Sequence, residues 1–254
     1  MADLVSVIMP FKNGHGFVGE ALDSIELQEW PNLEVVLVDD NSDTPFSFDT
    51  DRYSFETVVL RNTDPKQGGA GFARGLAISH AKGRYIAFLD CDDVWRPGKI
   101  KGQISQMNER NLGLSFGGYA NFSADREESK AYVPEGPFTW ERFLSKDFTI
   151  GCLTVIYDRE KVCDPRPSTL KRRNDYHLWA QLIANLEHRG ANWGGVEQHL
   201  GDHRLHKGSL TASKVKAAVG YWRFLGVVEM TPVWRVWHFV NYVRNTIALR
   251  FSKG

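Results

Sequence analysis

The chain has 254 residues, enough for one large α/β domain with a buried core, or for such a domain plus a short appendage. Fifteen Phe and eight Trp supply large core anchors, and 31 Lys and Arg balance 31 Asp and Glu. No global basic field marks a nucleic-acid binder, so any charge effect is local. Cys91, Cys152 and Cys163 fit neither a metal-ligand spacing nor a disulfide framework, which points to a reducing compartment. The opening MADLVSVIMPFKN reads as a first strand and lacks a basic segment followed by an apolar signal core. No apolar run reaches the roughly 18 residues that span a bilayer. The expected location is cytoplasmic, or peripheral on the inner face of the cell membrane.

Leu4 to Met9 is a continuous apolar run broken at Pro10, which predicts a buried strand. Phe17, Val18, Ala21, Leu22 and Ile25 recur at helical spacing. Glu34 to Val38 predicts a second strand ending in Asp39-Asp40, and Thr57 to Leu60 a third. A glycine-rich loop, Gly68-Gly69-Ala70-Gly71, leads into a helix from about Phe72 to His80. Tyr85 to Leu89 is a further strand running into Asp90-Cys91-Asp92-Asp93. Strands alternating with helices predict a mostly parallel sheet with helices on both faces. Beyond Asp93 the pattern predicts a helix at Ile100 to Met107 and strands at Leu114 to Tyr119 and Thr154 to Tyr157. It also predicts an exposed loop at Phe122 to Gly136 and a helix starting near Asp175. Tyr221 to Phe251 interleaves aromatics with arginines and reads as one or two helices outside the main core, interrupted near Pro232.

Ligands of open α/β sheets sit beyond the carboxyl ends of the strands, where both acidic clusters fall. Three aspartates within four residues repel one another, and a divalent cation relieves that repulsion with oxygen ligands shared with phosphates. The competing reading is a solvated acidic turn that caps the following helix.

VSVIMPFKN, EVVLVDDNSD and GGAGFARGLAISHAKGRYIAFLDCDDVW, in this order and spacing, resemble the inverting glycosyltransferases of family 2 with a GT-A fold. KRRNDYHLWAQL and HRLHKGSLT extend the resemblance to bacterial polysaccharide members, covering about residues 4–210. The resemblance implies a GT-A domain over 1–213, with a nucleotide-binding half about 1–95 and an acceptor half about 96–213. Residues 214–254 form a helical tail.

By resemblance, Pro10, Phe11, Lys12, Asp39 and Asp40 hold the nucleotide base. Many members carry an aromatic where Lys12 stands. Asp90, Cys91 and Asp92 match the DXD motif: Asp90 approaches the ribose or a metal-bound water, and Asp92 binds Mn²⁺ or Mg²⁺. Asp93 shares either job, and Cys91 is a small buried spacer. Gly69 and its neighbours either cradle a phosphate at a helix start or form a flexible loop, and Arg74 faces the diphosphate. Asp175 is the expected catalytic base, a role compatible with capping its helix. Asn174 stands where the family usually has a second acid. His206 either completes the metal shell or contacts the diphosphate.

The implied reaction moves a sugar from a nucleotide-sugar, with UDP the first choice of base, to a hydroxyl of a glycan or lipid-linked acceptor. The arginine–tryptophan tail lies on the cytosolic leaflet, packs on the domain, or makes a homodimer contact. Two alternatives remain: a sugar-nucleotide-forming nucleotidyltransferase, whose glycine loop follows the first strand and not the third, and a non-catalytic nucleotide-sugar-binding partner subunit.

Overall fold

The computed structural model describes residues 2–64, 67–123, 129–205, 214–228 and 230–251, with backbone alone at 214 and 248–251. In chain order the elements are β1 (Val5–Phe11), α1 (Val18–Glu26), β2 (Leu33–Asp40), β3 (Glu56–Asn62), α2 (Ala70–His80), β4 (Tyr85–Phe88) and β5 (Val94–Trp95). There follow α3 (Lys99–Glu109), β6 (Leu112–Phe122), α4 (Trp140–Leu144), β7 (Ile156–Asp158), α5 (Asn174–His188), β8 (Asn192–Arg204), α6 (Lys214–Val227) and α7 (Pro232–Phe251).

One sheet runs in the order β3-β2-β1-β4-β7-β6-β8-β5. Its first four strands are parallel. β7 then pairs antiparallel to both β4 and β6, β6 pairs parallel with β8, and β5 closes antiparallel on β8. The α/β class stands, with the parallel character concentrated in the first half and a mixed second half.

The apolar runs of β1 and β2 are buried on both faces, as central parallel strands require. Val5, Val7, Met9 and Phe11 face one core with α1 and α3, while Ile8 faces the other with α2 and α5. The chain order changes direction around β1, since β2 and β4 flank it on opposite sides. The ends of β1, β2 and β4 therefore open onto one crevice, and both acidic clusters sit there.

β8 escapes the hydrophobic pattern. Asn-Trp-Gly-Gly-Val-Glu-Gln-His-Leu-Gly-Asp-His-Arg has neither an apolar run nor clean alternation, and its pairing with β6 shifts register around Gly118. Neighbouring strands hold it: β6 on one side, and Val94↔Asp202 and Trp95↔Gly201 on the other.

The tail differs from its expected place outside the core. Tyr221, Phe224 and Leu225 of α6 and Tyr242 of α7 are buried in the same cluster as Phe143 of α4 and Tyr176 of α5. Tyr221 stacks on Tyr242 at 3.9 Å and donates its hydroxyl to the Leu144 carbonyl at 2.9 Å. A large aromatic gains more by filling this wall than by staying in water, and its one polar atom finds a partner. The opposite face of α7 leaves Val233, Trp234, Val236, Trp237, Val240 and Ile247 exposed. Tyr221→Ala removes the ring that joins both tail helices to the core. It should cost about 3 kcal/mol, read as a lower thermal midpoint; an unchanged midpoint would show that the tail is not part of the folding unit.

Candidate active site

The acidic turn follows β4 directly. Asp90, Asp92 and Asp93 each offer a carboxylate oxygen, and these oxygens lie within 4.8 Å of one another. Asp90 and Asp93 are both anchored. Asp90 accepts from Arg74 Nη2 at 2.5 Å. Asp93 turns inward, where its Oδ1 accepts the Arg204 backbone N–H and bonds His203 Nδ1, each at 2.9 Å. Burial raises the Asp93 carboxyl to about 6, against the pull of His203. Cys91 is buried, and burial among aspartates drives its thiol pKa upward.

Arg74 is 4 % exposed and reaches in two directions. Its Nη1 donates to Asn174 Oδ1 at 2.6 Å, so one guanidinium joins the acidic turn to the first residue of α5. Burial opposes its charge, but Asp90, Cys152 and Asp175 raise its pKa further. The local sequence makes this reach possible. A Cβ at Gly71 would stand 2.7 Å from the Ser168 carbonyl and 2.8 Å from Asn174 Cβ, so glycine lets α2 press against the 168–174 segment.

Asp175 sits in the first turn of α5, half-buried, where unpaired helix N–H groups favour a carboxylate. Phe88 and Trp179 pack edge to face at 4.8 Å, fixing α5 against the strand that ends in the acidic turn. Lys146 and Arg173 lie near Asp175. Burial, with Arg173 beside it, lowers Lys146 to about 7, partly offset by Asp175.

The second acidic pair has structural work of its own. Asp39 Oδ1 accepts the Ser42 N–H and Oδ2 the Phe46 N–H, both at 2.9 Å. Burial alone would raise the Asp39 carboxyl, but these bonds hold it below its ordinary value. Asp40 accepts from Asn62 Nδ2 at 2.8 Å and from the Gly69 N–H at 2.6 Å.

The chain matches the family described as Glycosyl transferase family 2 over residues 6–175. It belongs to that family. A similar relative is the Escherichia coli UDP-Glc:alpha-D-GlcNAc-diphosphoundecaprenol beta-1,3-glucosyltransferase WfgD. It is 31% identical over 240 residues, covering 94% of this chain and 92% of that one. The Bacillus subtilis glycosyltransferase TuaG, assigned to teichuronic acid biosynthesis, is 31% identical over 97% of each chain. Among solved structures, S. aureus TarS in complex with UDP-GlcNAc superposes with a TM-score of 0.67 at 18% identity, over 96% of this chain and 73% of that one. That likeness establishes the GT-A fold. The chain is a glycosyltransferase.

Within this family 2 domain the structure brings Asp39, Asp40, Asp90, Cys91, Asp92, Asp93 and Asp175 to one end of the sheet, as the sequence implied. Pro10 and Phe11 are buried at the end of β1, with the Phe11 ring edge-on to Phe46, and Lys12 is exposed beside them. Gly69 gives its N–H to Asp40, and both Arg74 terminal nitrogens that bond do so to protein; this geometry suits holding the turn more than meeting a phosphate. His206 lies outside the described residues.

His203 and Arg204 lie against Asp93, and Asn62 against Asp40; of the three the sequence points only to Arg204, as a cation able to offset leaving-group charge. The first two sit on β8, whose pattern hides it, and its pairing with β5 and β6 brings them to Asp93. Burial opposes a charge on His203, but Asp93 outweighs it and raises the ring from 6.5 to about 9. A raised histidine stabilises the fold fully below its unfolded value, and that contribution is lost as pH rises through about 9. Without divalent ions, the unfolding free-energy gap between wild type and His203→Gln should therefore shrink from about pH 7 to about pH 10. A gap that stays constant or widens would contradict a charged His203–Asp93 pair.

Proposed function

We propose that this chain transfers a sugar from a UDP-sugar to a hydroxyl of a lipid-linked glycan, with inversion at the anomeric carbon, in the assembly of a cell-surface polysaccharide. The observation that carries this reading is the bridge from the acidic turn through Arg74 to the start of α5, which supports a shared crevice for the three clustered carboxylates and Asp175. WfgD uses UDP-Glc and acts on α-D-GlcNAc-diphosphoundecaprenol, and its likeness to this chain runs almost end to end.

The donor set at the acidic turn is oxygen only and closely spaced, which fits Mg²⁺ or Mn²⁺. Asp92 is the residue assigned to hold the ion. Asp93 is buried with one oxygen already accepting two hydrogen bonds, whereas Asp92 is half-buried at the crevice. Asp90, fixed by Arg74, serves the ribose side. A bound divalent ion supplies Lewis-acid stabilisation to the departing diphosphate.

Asp175 accepts the proton of the acceptor hydroxyl as its oxygen attacks the anomeric carbon. No covalent glycosyl-enzyme is needed, so one base suffices. Asn174, in the place of a second acid, spends its side-chain oxygen on Arg74 and thereby orients the helix start that carries Asp175. Lys12, Asp39 and Asp40 line the base end. The two loops that Asp39 and Asp40 hold, 42–46 and 67–69, shape that end.

Among the described residues no helix is long and apolar enough to cross a membrane. The exposed tryptophans and valines of α7 support a peripheral position at the cytosolic leaflet, where a lipid-linked acceptor is presented.

Asp175→Asn tests the mechanism. It keeps the shape of the site and removes the base, so turnover should fall by about 10²–10⁴-fold while UDP binding is retained. Unchanged turnover would remove Asp175 from the chemistry.

A further inference from the structure

A cavity of about 550 Å³ opens between the 169–172 segment and α6, apart from the acidic turn. Four cationic residues line it: Lys171 and Arg172 from the segment, and Lys216 and Arg223 from the helix. Among the described residues no acidic side chain lines it. On α6 the positions 216, 219, 220 and 223 follow helical spacing, so Lys216, Val219 and Arg223 share the face turned to the segment. A Cβ at Gly220 would stand 3.1 Å from Arg172 Cβ, so glycine there lets the segment close on the helix.

Lys171, Lys216 and Arg223 bring like charges to one concave lining, and a multiply charged anion relieves their mutual repulsion. Phosphate oxygens meet arginine and lysine through charge-assisted hydrogen bonds. The same cleft carries apolar side chains open to solvent: Val215 is 74% exposed and Val219 46%. A free anion has no use for them, whereas an amphiphile with an anionic head and a hydrocarbon chain uses both.

Position in the chain adds a length. Arg172 precedes Asp175 by three residues, so their Cα atoms are at most roughly 11 Å apart. The 169–172 wall of the cleft therefore adjoins the start of α5, close enough for a sugar attached to a diphosphate there to approach Asp175.

We propose that this cleft is the acceptor's diphosphate subsite. Lys171, Lys216 and Arg223 hold the diphosphate of a sugar-diphosphate lipid, Val215 and Val219 receive the start of its chain, and the sugar reaches Asp175. This rests on the reading of Asp175 as the acceptor-side base.

The test uses the full chain with UDP and Mn²⁺ present to fill the donor site. Farnesyl diphosphate below its micellar concentration is the probe, read by titration calorimetry, with inorganic pyrophosphate and farnesol in parallel. The probe should bind one to one, and both fragments about tenfold or more weakly. The double variant K216E/R223E should weaken the probe about tenfold or more with the UDP titration unaltered. Should that variant lose its thermal transition, Lys171→Glu on the segment is read in its place, with the same expectation. Equal affinity for pyrophosphate would overturn the lipid assignment, making the cleft a site for free anions. Equal probe affinity in wild type and variant would overturn the site itself. Probe binding by a chain that fails to bind UDP would overturn the acceptor role while leaving a diphosphate cleft.

Discussion

One buried guanidinium carries the geometry of the site. Arg74 holds Asp90 with one nitrogen and Asn174 with another, and it does so at 4 % exposure. Taking a cation out of water is costly, and the cost is offset only by close, well-directed partners. Removing either partner would leave that charge buried and poorly compensated, so the acidic turn and the start of α5 are held in a fixed relation. The Arg74 Nε is buried without a hydrogen-bond partner, which adds to the cost of this arrangement. A site that must align a leaving diphosphate with an incoming hydroxyl needs such rigidity, because misplacement of reacting groups by about 1 Å can cost about 10²-fold in rate.

The acidic turn shows a division of labour set by burial. Asp93 faces the protein and is neutralised there by His203 and the Arg204 backbone. Asp90 is neutralised from below by Arg74. The carboxylates can crowd together because Asp90 and Asp93 have cationic or N–H partners, which lowers the repulsion among them. Arg204 adds a second tie by donating to the Asp92 carbonyl and pairing with Glu20 of α1, so β8 clamps the whole turn against the first helix.

Much of this was legible in the sequence, for identifiable reasons. The parallel half announces itself because central strands buried on both faces must be continuous apolar runs, as in Val5–Phe11 and Leu33–Asp40. Acids at their ends then mark the crevice. β8 was illegible because its glycines, histidines and acid are tolerated only between two paired neighbours, so its state is decided by tertiary pairing and not by local pattern. The glycine cluster before α2 reads from the sequence as a phosphate cradle or a flexible loop; Gly71 packs against the 168–174 segment, and no spacing rule reveals a partner about a hundred residues away. The tail's interleaved aromatics and arginines leave open, from sequence alone, whether it packs on the domain. In the fold the two residue types separate: Tyr221, Phe224 and Tyr242 are buried, and Arg223 and Arg244 are exposed.

The central claim is that the turn after β4 is a divalent-ion and diphosphate site. Its most direct measurement is UDP binding to the full chain by titration calorimetry, with Mn²⁺ and with chelator, for wild type and Asp92→Asn. Wild type should bind UDP tightly only with Mn²⁺, and Asp92→Asn should lose that dependence along with most of the affinity. UDP affinity that is equal with Mn²⁺ and with chelator in wild type would contradict the claim.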